Sequence, residues 1–79
     1  MLMDEEKKAS IWAAFNDARP HVSEGEWLKN KISEITESID TEQEFIRLLR
    51  EEEEKLEDSI RKTDIRIYLT QFERYVTKD

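Results

Sequence analysis

The chain has no cysteine, one glycine, one proline and one histidine among its 79 residues. Each scarcity removes a class of chemistry. Without cysteine there is no disulfide framework, no thiolate metal site and no thiol nucleophile. The lone glycine, Gly25, is too little for a phosphate-cradling loop, which needs several positions where backbone approaches the ligand closely. The lone histidine, His21, belongs to no E-x-x-H metal pair, because Ala18 stands three positions before it. It follows a proline, and no G-x-S-x-G elbow offers it a serine to activate. No run of 18 apolar residues exists, so no membrane span is expected. Residues 1–6 show neither the basic start nor the apolar stretch of a secretory signal. The inventory predicts a cytoplasmic protein that is not an enzyme and carries no metal or cofactor.

Charge is what the chain has in abundance. Charged residues make up 42% of it, with 13 Lys and Arg against 20 Asp and Glu, for a net charge of −7. The acids and bases are interleaved along the whole length, so no basic arm stands out. Direct binding to nucleic acid or to an anionic membrane is therefore not expected. Leu, Ile, Val and Phe contribute 19 residues, about 24% and above the roughly 20% below which disorder becomes the default. A folded chain with a thin core follows. At this size only about 60% of the surface is buried, and self-association is a common remedy.

Periodicity predicts an all-α single domain over 1–79. Pro20 and Gly25 mark the one clear break. Before it, Asp4 can cap a first helix over 4–18, whose apolar face is Ile11, Trp12, Phe15 and Ala18. After it, Ser23 and Glu26 spell a capping box for a second helix over 24–39, with Leu28, Ile32, Ile35 and Ile39 in one stripe. Thr41 and Glu44 spell another box, opening a third helix over 41–62. Its stripe is Phe45, Ile46, Leu49, Leu56 and Ile60. A last stripe, Ile65, Tyr68, Leu69, Phe72 and Val76, spans 64–77.

The phase between these last two stripes matters. At 100° per residue they point to nearly opposite sides of one continuous helix. Either the helix breaks near Thr63 and Asp64, or it runs unbroken over 41–77 as a rod of roughly 37 residues and ~55 Å. No glycine or proline interrupts 41–79, which favours the unbroken rod. The expected fold is thus a bundle of three to four helices: a short N-terminal helix packed across an antiparallel hairpin with a long C-terminal arm. The last stripe would then be left for the first helix or for a second copy, so a homo-oligomer, a dimer first, is expected.

The acidic run over 51–54 reads as a solvated helix face, with Glu51–Lys55, Glu57–Arg61 and Asp58–Lys62 all spaced for intrahelical ion pairs. Glu52 or Glu53 must border the apolar stripe, and pairing with a base on a neighbouring helix would fix the register. Trp12, Tyr68, Phe72 and Tyr75 are the candidate partner-binding residues, because aromatic side chains concentrate at protein interfaces. Core packing is the plainer account of each, and of Trp27. The expected function is a non-catalytic interaction module: a small acidic inhibitor, adaptor or regulatory subunit that binds another protein. Two alternatives remain. An acidic body can act as a decoy for a nucleic-acid-binding protein. A helical oligomer can hold an anionic ligand between chains through Arg47, Arg50, Arg61, Lys62, Arg66 and Arg74.

Overall fold

A computed structural model describes residues 5–76. Four α-helices follow one another: α1 (Glu5–Ala18), α2 (Gly25–Thr36), α3 (Glu42–Lys55) and α4 (Ser59–Val76). No strand occurs among the described residues. The all-α bundle is as the periodicity predicts.

The first helix opens with Glu5 and Glu6, the charge its positive end favours. The predicted cap, Asp4, lies outside the described residues. The helix ends at Ala18, and a single 3₁₀ turn, Arg19–His21, carries the proline. A proline ring disfavours the α region for the residue before it, and the α-helix gives way to the 3₁₀ turn at Arg19.

The second helix departs from expectation at both ends. Its N-cap is Glu24, with no side-chain cap bond, so the Ser23 and Glu26 box does not form. Asp64 does the work from α4: its carboxylate accepts the backbone N–H of Ser23 at 2.9 Å and of Glu24 at 2.7 Å. At the other end the helix stops at Thr36 rather than 39. Thr36 Oγ1 donates to the Ser33 carbonyl and Ser38 Oγ to the Ile35 carbonyl, so side chains compete for the acceptors of the last turn. Ile39 is still buried, from the turn.

Thr41 caps α3 as its sequence predicts. The N–H of Glu44 donates to Thr41 Oγ1 at 3.2 Å, and Glu44 Oε1 accepts the N–H of Asp40 at 3.1 Å. The helix ends at Lys55, well short of 62. The unbroken rod does not form, and the break falls at 56–58 rather than at Thr63 and Asp64. Leu56 is extended, with φ −76° and ψ 140°. Asp58 Oδ1 accepts the N–H of Ile60 at 2.8 Å and so caps α4. The physical reason is the phase conflict: a break resets the helix, and both stripes then face one core. The Cα radius of gyration is 11.6 Å and the longest extent 31 Å. A compact chain of this length should show about 11.6 Å, and a ~55 Å rod would not fit.

The core gathers Ile11, Ala14, Phe15 and Ala18 of α1, Leu28, Ile32 and Ile35 of α2, Phe45 and Leu49 of α3, and Ile65, Tyr68, Leu69 and Phe72 of α4. The most extensive packing is between α1 and α4. The last stripe is therefore not left for a second chain, because α1 and α3 cover it. Phe45 meets Phe72 edge to face at 5.1 Å and Tyr68 at 6.0 Å. The acidic run follows expectation only at the stripe's border: the interhelical pairs form, and the three expected intrahelical pairs do not. Glu52 pairs with Lys31 of α2 at 3.5 Å, and Glu53 pairs with Arg66 of α4. Glu51 turns back to Arg47 instead of forward to Lys55. The break removes Glu57 and Asp58 from α3, and Asp58 lies 3.9 Å from Arg61.

Candidate functional site

The four aromatic candidates part company in the structure. Tyr68 and Phe72 are 0% exposed, stacked on each other at 5.9 Å in the middle of the bundle. Tyr68 Oη donates to the Ile11 carbonyl at 2.9 Å. Burial pushes its phenol far above the ordinary tyrosine range. These two cannot anchor a partner, because α1 occupies the space a partner would need. Trp12 is half-buried, edge to face with Phe15 at 5.9 Å. Tyr75 is the most exposed of the four, at 37%, and its hydroxyl donates to Asp17 of α1 at 2.5 Å. That bond raises its pKa, since the anionic acceptor holds the phenol proton. Trp27 is half-buried under the guanidinium of Arg61, 4.9 Å from the ring centroid.

The surface that remains is the solvent side of α4. Ile60 is 50% exposed. With Tyr75 it completes the set of exposed large hydrophobics among the described residues. Between them, Thr63, Ile67, Thr70 and Gln71 fall on the same side of α4 at helical spacing, roughly opposite Phe72. Thr63 Oγ1 donates to the Ser59 carbonyl and Thr70 Oγ1 to the Arg66 carbonyl, at 2.9 and 3.0 Å. Each hydroxyl is spent on its own helix, which leaves the threonine methyl as the outward group. From Ile60 to Gln71 this face carries no charge, in a chain that is 42% charged. Arg74 sits at its far end.

His21 and the 3₁₀ turn form the edge of the face. His21, Ile67, Thr70 and Gln71 line a shallow cleft of about 400 Å³. A second, of about 190 Å³, lies between His21, Ser23, Ile60, Thr63 and Ile67. Asp64 borders it, but both its oxygens are held by backbone amides. No group of three or more His, Asp or Glu stands ready to hold a metal among the described residues. Three of the arginines proposed for an anion pair with acids of the same chain: Arg47 with Glu51, Arg50 with Glu73, Arg66 with Glu53. No described helix is long and apolar enough to cross a membrane.

A model of the MJ1579 family matches residues 8–77. The chain belongs to the MJ1579 family. The match takes in all of α2, α3 and α4 and most of α1, so the face of α4 lies wholly inside the matched residues. No curated protein matches the chain, and no solved structure does.

Ile60 and Ile67 escape a reading of sequence alone for one reason. A third helix continued through 62 puts Ile60 on the core stripe beside Leu56. Once α4 starts afresh at Ser59, Ile60 turns outward, while Ile67 stays half-buried at the edge of the core. The available signal was the odd member of the Ile65 and Ile67 pair: two positions apart on a helix, they cannot both point to the centre of one core, and Ile67 packs only at its edge.

Proposed function

We propose that this MJ1579-family chain is a non-catalytic protein-interaction module, and that the solvent side of α4 is the surface it uses. The observation that supports this is the placement of Ile60 and Tyr75. A lone exposed hydrophobic residue is ordinary. Here both lie on one helix, and the stretch of the face from Ile60 to Gln71 carries no charge, with Arg74 beside Tyr75 at its end. Depletion of charge at the centre of a patch is the compositional mark of interfaces. Roles as inhibitor, adaptor or regulatory subunit are all compatible with such a surface.

A photo-cross-linking amino acid at Thr63, compared with one at Gln43 on α3, tests the reading in the native cell. The Thr63 variant is expected to form a cross-linked product that disappears on adding Ile67→Glu. Equal products from both positions, or none from Thr63, would overturn it.

A further inference from the structure

We infer that residues 56–58 are a hinge, and that at high concentration two copies of this chain open there and exchange α4, with α3 and α4 fusing into one helix. This stands apart from the reading of the solvent side of α4, because it concerns the inner side of that helix.

Nothing local enforces the break. Leu56, Glu57 and Asp58 include neither glycine nor proline, and neither residue type occurs from 41 to 79. Helical bonding continues to the edge of the gap on both sides. The Leu56 N–H donates to the Glu52 carbonyl at 3.2 Å, and the Lys62 N–H to the Asp58 carbonyl at 3.1 Å, both with the four-residue spacing of an α-helix. Across the gap Leu56 is extended and Asp58 Oδ1 caps Ile60, a cap of this kind being worth about 1 kcal/mol.

What holds the helix broken within one chain is the phase of its stripes. Fused over 42–76, it would be about 52 Å long, with Phe45 and Leu49 on one side and Ile65, Tyr68, Leu69 and Phe72 nearly opposite. A single chain then has nothing to cover the second stripe. A second copy removes the conflict. A helix with two opposite stripes can lie between two bodies, its first half on its own α2 and its second half on the α1 and α3 of the other copy. A two-fold axis through the hinge makes the exchange reciprocal and closes it at two chains.

The exchange keeps the core. The partner subunit's Asp64 would take the amides of Ser23 and Glu24, the partner subunit's Tyr68 would donate to the Ile11 carbonyl, and the partner subunit's Phe72 would meet Phe45, each as it does within one chain. The fused helix also returns Ile60, 50% exposed in the closed chain, to the line of Leu49 and Leu56. The balance therefore lies between the entropy of joining two chains and the added helical turn. Dilute chains keep the break.

The chain contains no cysteine, so introduced thiols report the exchange directly. Arg50 of α3 and Glu73 of α4 meet at 2.7 Å, and both side chains reach solvent. Arg50→Cys and Glu73→Cys are prepared as separate chains, mixed in urea and refolded together at millimolar concentration. A short thiol-specific cross-linker is expected to join the two kinds of chain, because an exchanged α4 sets position 73 of one copy beside position 50 of the other. By sedimentation, wild type refolded in this way should show a species of twice 9.5 kDa. It should return to monomer slowly on dilution, since α4 must leave one core to regain another. Glu57→Pro suits the extended Leu56 before it and bars the fused helix. It should lower the dimer yield at least tenfold, with the helical spectrum of the monomer unchanged. Glu57→Gly, a milder change, should lower it several-fold. A wild type that gives no dimer after refolding at millimolar concentration overturns the inference. So does a dimer in which the two kinds of chain do not cross-link, or a yield that neither change at Glu57 lowers.

Discussion

The carboxylate of Asp64 accepts the backbone N–H of Glu24 at 2.7 Å, across forty positions of sequence. It accepts that of Ser23 as well, so one side chain in α4 satisfies two amides at the start of α2. Asp64 is 1% exposed, and these bonds are what let a carboxylate stay there. Asp64→Ala strands both donors and should cost about 2–4 kcal/mol of stability, charge-assisted bonds being worth more than neutral ones. Asp64→Asn keeps an acceptor and should fall between. Ser23→Ala, which would cost about 1 kcal/mol if the capping box were real, should change stability by less than about 0.5 kcal/mol. Urea unfolding of the three variants decides the matter.

Tyr68 makes stability fall in alkali. Its folded pKa is raised by burial, so the folded chain keeps a proton that the unfolded chain releases from about pH 10 upward. The unfolded state then binds fewer protons, and the slope of stability with pH is negative. The contribution is whole below pH 10 and is lost above it. Phenolate absorbance should show the Tyr68 step only together with loss of helix. Tyr68→Phe should remove that coincidence and cost about 1 kcal/mol at neutral pH for its bond to Ile11.

Phe72 and Tyr75 should separate cleanly. Phe72→Ala empties the centre of the aromatic cluster and should cost about 3–5 kcal/mol, against a total of about 5–15 kcal/mol for a small domain. The variant should lose a large part of its stability, read as a clear drop of the thermal midpoint by circular dichroism. Tyr75→Ala should keep the helical spectrum and affect only what the face of α4 binds.

Asp58→Ala removes the cap of α4 and should cost about 1 kcal/mol. It should not fuse α3 and α4. A continuous helix would turn Ile65, Tyr68, Leu69 and Phe72 away from Phe45 and Leu49, at a cost far above one cap. Backbone chemical shifts at 56–58 should therefore stay non-helical.

Local signals were read correctly where they stand alone. Thr41 and Glu44 form their cap because nothing distant competes for it. Pro20 ends α1 through its own ring. Ser23 and Glu26 carry an equally good pattern, yet Asp64 displaces it with a charged acceptor already held in place by α4. Of the four aromatic candidates, composition marked them as large and scarce, but could not tell an inward ring from an outward one. Tyr68 and Phe72 went to the core and Tyr75 to the surface once the start of α4 was set.

The all-α chain, its apolar stripes and the absence of cysteine and glycine chemistry are legible from the residues, because helical periodicity and residue type are local properties. Only the tertiary structure decided where α3 gives way to α4, since that break is set by two stripes competing for one core. The same decision turned Ile60 to solvent, and with it the face on which the proposed function rests.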